Sequence, residues 1–339
     1  MSYFWDNPNS PNRVDRSPLQ IPTETEEDEN PLAQARILYD WLNGSEKILS
    51  LSNQTILALA LPEALNHYHW ESLNLIEPNL IPLRWAKKSL DIATPKNRPL
   101  SVLFMAAQPN LVKTKLDCEQ QETKILEGTK GYPLKLMVEE SGWLRELQVI
   151  CDRHQHDFDV LHLTGVVDSQ EGKACLLTED EFGDRCYSSA EDIVTAIGTP
   201  FPRLILLCAE SEYSWEHREI ATLAKDLISH GARTILTFGD EVAEVLIATL
   251  YNELARGRTL DNALKLIYRE SCRQELGSSL LLRGSPKSSF CLYLADTKLL
   301  STSFVTPGQK PQATFTLPSG FLDGAPVSYT HLRAHETVL

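Results

Sequence analysis

Positive charge is in short supply. The 339-residue chain carries 32 Lys and Arg against 46 Asp and Glu, a net charge of −14. A polyanion would be repelled on average, and no run of basic residues makes a local patch. Nucleic acid and anionic membrane are therefore not expected partners. Long apolar runs are missing as well: no stretch approaches the ~18 consecutive apolar residues of a spanning helix. Met1-Ser-Tyr-Phe-Trp-Asp6 lacks a basic region followed by an apolar one, so no secretory leader is expected. Cysteine is sparse, with seven residues at 118, 151, 175, 186, 208, 272 and 291, an odd number with no C-x-x-C pair. That pattern fits reduced thiols in a cytoplasm better than a disulfide frame or a zinc site.

Phosphate-binding glycine motifs are absent too. Gly172-Lys173 is followed by Ala174, so no Walker A loop forms, and there is neither a G-x-G-x-x-G fingerprint nor a G-x-S-x-G elbow. No cofactor is expected. The histidine pairs His67/His69 and His154/His156 have no third ligand nearby, and no metal site is assigned. His154 and His156 read instead as the end of a helix, where the dipole favours them. The acids Glu179, Asp180, Glu181 and Asp184 read as a solvated hairpin tip.

What the chain does have is core-forming residues: 42% are hydrophobic and 23% charged, an ordinary globular mixture. Residues 1–30 are rich in proline and carry the tract Thr23-Glu-Thr-Glu-Glu-Asp-Glu29, expected to be a disordered acidic leader. Asn30-Pro31 starts a helix well, and Leu32, Ala35, Leu38, Tyr39 and Leu42 share one stripe before Gly44. Residues 31–98 are expected to be a helical and extended part packing on the core.

From residue 99 the pattern changes. The runs Val102–Ala107, Phe158–Leu163, Leu204–Cys208 and Thr234–Phe238 are short, continuous and apolar, as strands buried on both faces of a parallel sheet are. Helical stripes lie between them, at 116–126, 143–150, 188–197, 220–228, 241–256 and 259–272. A last strand is expected at 289–295, and a hairpin at 172–187 built from Ala174–Leu177 and Arg185–Tyr187. Alternation of this kind predicts an α/β fold, a doubly wound, mostly parallel sheet with helices on both faces. Chemistry in such sheets gathers beyond the carboxyl ends of the strands. The positions to inspect are Gln108, 165–168, 209–213 and 239–241.

Asp157-Phe-Asp-Val-Leu-His-Leu-Thr-Gly165 followed by Pro202-Arg-Leu-Ile-Leu-Leu-Cys-Ala209 resembles the CHAT domain, a bacterial caspase-like domain of the clan of caspases and separase. His69-Trp-Glu-Ser-Leu-Asn74, Pro99–Pro109, Gly231–Leu236 and Thr249–Gly257 agree in order, so the resemblance covers about 60–296 and implies a caspase-like sheet over 99–298. Active relatives set a His after a glycine on one strand and a Cys on its neighbour. The thiolate attacks a peptide carbonyl and the His moves protons.

This chain departs from that pattern at both positions: Val166 stands where the His is expected and Glu210 where the Cys is. Valine transfers no proton. The resemblance therefore implies a non-catalytic domain that serves as a regulatory or partner-binding module of a larger bacterial protein, with a protein or peptide partner. Two alternatives stand beside it. One is a cysteine endopeptidase using Cys208 with His162 or another histidine such as His217. The other is a small-molecule sensor at a strand-tip pocket near Gln108 and Glu210. His162 and Cys208 sit an even number of residues before Val166 and Glu210, so they share those positions' faces but lie back inside the strands. Residues 299–325 read as a linker to a missing NTPase or repeat domain, and 326–339 as an artefactual tail whose His331 and His335 belong to no site.

Overall fold

The computed structural model describes residues 2–4, 13–15, 31–43, 55–61, 70–77, 79–86, 88–110, 112, 114, 116–211, 218–238, 240–273, 291–308 and 337–338. Strands β1 (Ser2–Phe4) and β2 (Arg13–Asp15) pair antiparallel, a short ladder within the stretch read as a disordered leader. The remainder of that stretch lies outside the described residues.

Helix α1 (Pro31–Asn43) is followed by β3 (Thr55–Leu59), a 3-10 segment (Trp70–Leu75) and β4 (Leu80–Trp85). Next come β5 (Leu100–Ala106), α2 (Cys118–Thr129), β6 (Leu134–Glu139) and α3 (Leu144–Arg153). Strand β7 (Val160–Gln170) runs directly into β8 (Lys173–Glu179) and β9 (Arg185–Ser189), which is capped into α4 (Ala190–Ile197). Strand β10 (Leu204–Ser211), α5 (Arg218–Ser229), β11 (Thr234–Phe238), α6 (Asp240–Ala255), α7 (Leu260–Arg273), β12 (Cys291–Leu294) and β13 (Thr337–Val338) complete the order.

The main sheet has the order β13-β6-β5-β7-β10-β11-β12-β4-β3, with β8 and β9 continuing from β7. Strands β6, β5, β7, β10 and β11 are mutually parallel, and β12 turns antiparallel to β11. This is the mostly parallel, doubly wound α/β sheet that the alternating pattern predicts. Side-chain alternation assigns its faces. Val102, Phe104, Val160, Leu206 and Cys208 point toward α2, α6 and α7. Leu103, Met105, Leu161, Leu163, Ile205 and Leu207 point toward α3, α4 and α5.

Strands β3, β4 and β6 were not legible in the sequence, nor were the short β1, β2 and β13. β6 mixes buried and half-buried residues and lacks a continuous apolar run. β3 and β4 extend the far side of the sheet, so the segment 31–98 does more than pack on the core. There Arg84 and Glu71 form a buried bidentate ion pair at 2.8 and 2.9 Å. At the other end, Phe304 and Val305 are buried, so packed structure continues into residues expected to open a linker. Both are large apolar side chains whose burial offsets the ordering of that segment.

Candidate functional site

The sheet's winding reverses between β5 and β7, and the crevice beyond their carboxyl ends is where such folds seat ligands. Here β7 does not stop at Gly165. It runs on to Gln170 and pairs antiparallel with β8, Val166 facing Leu177. The sequence reading ended this strand near Leu163, because Gly165 reads as a terminator. Gly165 instead lies inside the strand in a tight spot, where a Cβ would lie 3.0 Å from Leu176 Cδ1 and 3.4 Å from the Ala107 carbonyl oxygen.

The hairpin then folds back over the crevice. Glu179 accepts a hydrogen bond from the Gln108 backbone N–H at 2.9 Å and donates its own N–H to the Gly142 carbonyl at 2.9 Å. Asn110 N–H donates to the Gly183 carbonyl at 3.0 Å. Asp180 ties the turn, accepting from the N–H groups of Phe182 and Asp184 at 2.8 and 2.9 Å. The expected acidic tip is thus present, with Glu179 turned inward.

Val166 and Glu210 are direct cross-strand partners in the β7–β10 register. Val166 is buried and Glu210 half-buried. Ser211 pairs with Val167. Glu212, Tyr213, His217, Gly239, His67 and His69 lie outside the described residues, as do His331 and His335.

His162 and Cys208 are brought together. His162 Nε2 lies 3.2 Å from Cys208 Sγ and 3.2 Å from Gln121 Oε1, and its Nδ1 lies 3.1 Å from the Tyr251 hydroxyl. Thr164 Oγ1 donates to the same Gln121 oxygen at 2.6 Å. Phe104 meets the imidazole edge-on at 4.9 Å between centroids, and Tyr251 stacks on it at 6.0 Å. The whole cluster is enclosed: His162 is 0% exposed and Cys208 1%. Burial pushes the imidazole pKa down to about 3, so the ring is neutral. It pushes the Tyr251 phenol well above its usual range.

His162 Nε2 thus faces both the Gln121 amide and the Cys208 sulfur, while Nδ1 faces the Tyr251 hydroxyl. The pair has the spacing of a dyad, but among the described residues both side chains are enclosed within the sheet.

Gln121, Thr164 and Tyr251 were missed in the sequence, although a signal existed. Gln121 lies four residues before Ile125 on the buried stripe of α2, and Tyr251 lies between Ile247 and Leu254 on that of α6. A polar residue on an apolar helical stripe needs a buried partner. His154 is the carboxyl-terminal cap residue of α3, with His156 two residues beyond it. His156 Nδ1 contacts the Ile197 carbonyl at 2.7 Å, and His154 Nδ1 contacts Lys135 Nζ at 3.1 Å. Among the described residues no cluster of three potential metal ligands forms.

No family model matches the chain, and no curated protein matches it. Solved structures similar to it include caspase-1 from Spodoptera frugiperda (13% identity, TM-score 0.37, covering 63% of this chain and 89% of that one). The structure titled pro-Sf-caspase-1 matches at 14% identity and a TM-score of 0.34, over 64% of this chain and 98% of that one. The Drosophila initiator caspase Dronc matches at 12% identity and a TM-score of 0.38, over 66% and 94%. At these scores the functional reading rests on the geometry of the chain itself.

Proposed function

We propose that this chain is a caspase-like domain of CHAT type without peptidase activity, a regulatory or partner-binding module of a larger bacterial protein. The observation that carries the reading is the direct pairing of Val166 with Glu210. The two adjacent strand positions where the resembled family sets imidazole and thiol deliver an isopropyl group and a carboxylate, which cannot together activate a nucleophile. A second reading, a cysteine endopeptidase using Cys208, is favoured by the 3.2 Å approach of His162 Nε2 to its sulfur. Burial weighs against it, because a buried thiol is inert.

A thiol-directed, caspase-type covalent probe offered to the full chain separates the two. The non-catalytic reading expects no labelling and no turnover of a peptide library. Rapid, saturable labelling of Cys208 that Cys208→Ala abolishes would establish the peptidase instead. Under the first reading a partner is a protein or peptide, and the hairpin over the crevice leaves the outer surface of the domain to bind it.

A further inference from the structure

The β8–β9 hairpin changes character along its length. Its base belongs to the core: Ala174, Cys175, Leu176, Leu177 and Thr178 are all buried. From Glu179 to Tyr187 no residue is buried, and Phe182 is 76% exposed. The tip nevertheless has a fixed shape of its own. Asp180 donates its N–H to the Asp184 carbonyl at 3.0 Å and accepts from the Gly183 N–H at 3.1 Å, besides the two bonds to its side chain. No buried side chain seats this unit on the strand ends. Among the described residues its hydrogen bonds to them are those of Glu179 with Gln108 and Gly142, and of Asn110 with the Gly183 carbonyl and, at 3.4 Å, the Asp184 carboxylate. Exposed hydrogen bonds exchange readily with water, so a segment held this way opens locally.

We infer that the turn Glu179–Asp184 is a lid that lifts as one piece from the ends of β5 and β6, with Glu179 as its latch. Glu179 bonds to both strand ends, its carboxylate to the Gln108 N–H and its own N–H to the Gly142 carbonyl. The hairpin bends where burial stops, beside the buried Thr178–Ser188 hydroxyl pair. Lifting frees the N–H groups of Gln108 and Asn110 and the Gly142 carbonyl. Gln108 and Asn110 both turn their N–H toward the hairpin, while Ala107 turns its own to Thr164 of β7 at 2.8 Å. That alternation is the one a strand edge has, so the lid covers a short, otherwise open edge beyond β5. The lid goes beyond the partner-binding reading and does not depend on it.

Amide hydrogen exchange of the full chain, read residue by residue by NMR as protection factors, tests the lid. In the wild type, exchange at Asn110 should be nearly independent of low urea, as local opening is. Glu179→Ala removes a charge-assisted acceptor, and Asn110 and residue 179 should then exchange about tenfold faster. Their acceptors, the Gly183 and Gly142 carbonyls, are untouched by the substitution. The Gly183 and Asp184 amides should keep their protection because the turn moves intact, and those of Leu176 and Leu177 because the base stays packed. Glu179→Gln retains an acceptor oxygen and should stay near wild type. Faster exchange at Gln108 alone would overturn the lid, as would acceleration of Leu176 and Leu177 together with the tip. So would a wild type in which Asn110 exchanges only through global unfolding. Each of these results leaves the non-catalytic reading standing, which the covalent probe decides separately.

Discussion

Gly128→Ala is the sharpest test of how α2 is seated. In an unconstrained helix interior this change stabilises by roughly 0.5–1 kcal/mol, because alanine loses less backbone freedom on folding. Here the added methyl would lie 2.8 Å from both the Cα and the carbonyl carbon of Ala248, and nearer still to its oxygen. Carbon atoms rest at ~3.5–4.0 Å, so α2 and α6 must part by roughly 1 Å. The obstructing atoms are backbone, so no rotamer change relieves them, and Ala248→Gly should not rescue the variant. Overpacking of this kind costs about 1–3 kcal/mol, which outweighs the gain in helix propensity. The expected net loss of about 1–2 kcal/mol lowers Tm by about 2–8 °C for a domain of this size. Differential scanning calorimetry, with urea melts for the free energy, reads it. A variant as stable as wild type, or more so, would refute the close approach of the two helices.

His162 should shape the acid side of the stability profile. Its folded pKa is lowered to about 3 from an unfolded value near 6.5. As pH falls through that window the unfolded chain takes a proton that the folded one refuses, and stability drops by up to about 1.4 kcal/mol per pH unit. His162→Gln should flatten the profile between those limits in urea melts, and parallel profiles would contradict the burial. Glu71→Leu should cost about 3–5 kcal/mol by stranding the Arg84 guanidinium, with part of that recovered in the Glu71→Leu, Arg84→Leu double variant. A double-mutant cycle on chemical denaturation measures it. Ser189 and Asp192 form a reciprocal capping box at the start of α4. Ser189→Ala should lose about 1 kcal/mol in the same assay.

The sequence by itself determined the architecture. Apolar runs such as Leu204–Cys208, buried on both faces, and the amphipathic stripes between them leave a parallel, doubly wound sheet as the arrangement that buries both patterns. Strand alternation, a local rule, also put His162 and Cys208 on the faces of Val166 and Glu210 and back within the same strands, while the neighbouring of those strands was implied by the resemblance. β6 escaped notice because it is partly buried and Lys135 interrupts its apolar run. Only the tertiary structure decided the register that sets Val166 opposite Glu210, the hairpin that carries Glu179 over the crevice, and the meeting of Gln121, Thr164, His162, Cys208 and Tyr251. Those residues come from four elements far apart in the chain. His162 meets an amide forty-one residues away, and no pattern of neighbours along the chain encodes that contact.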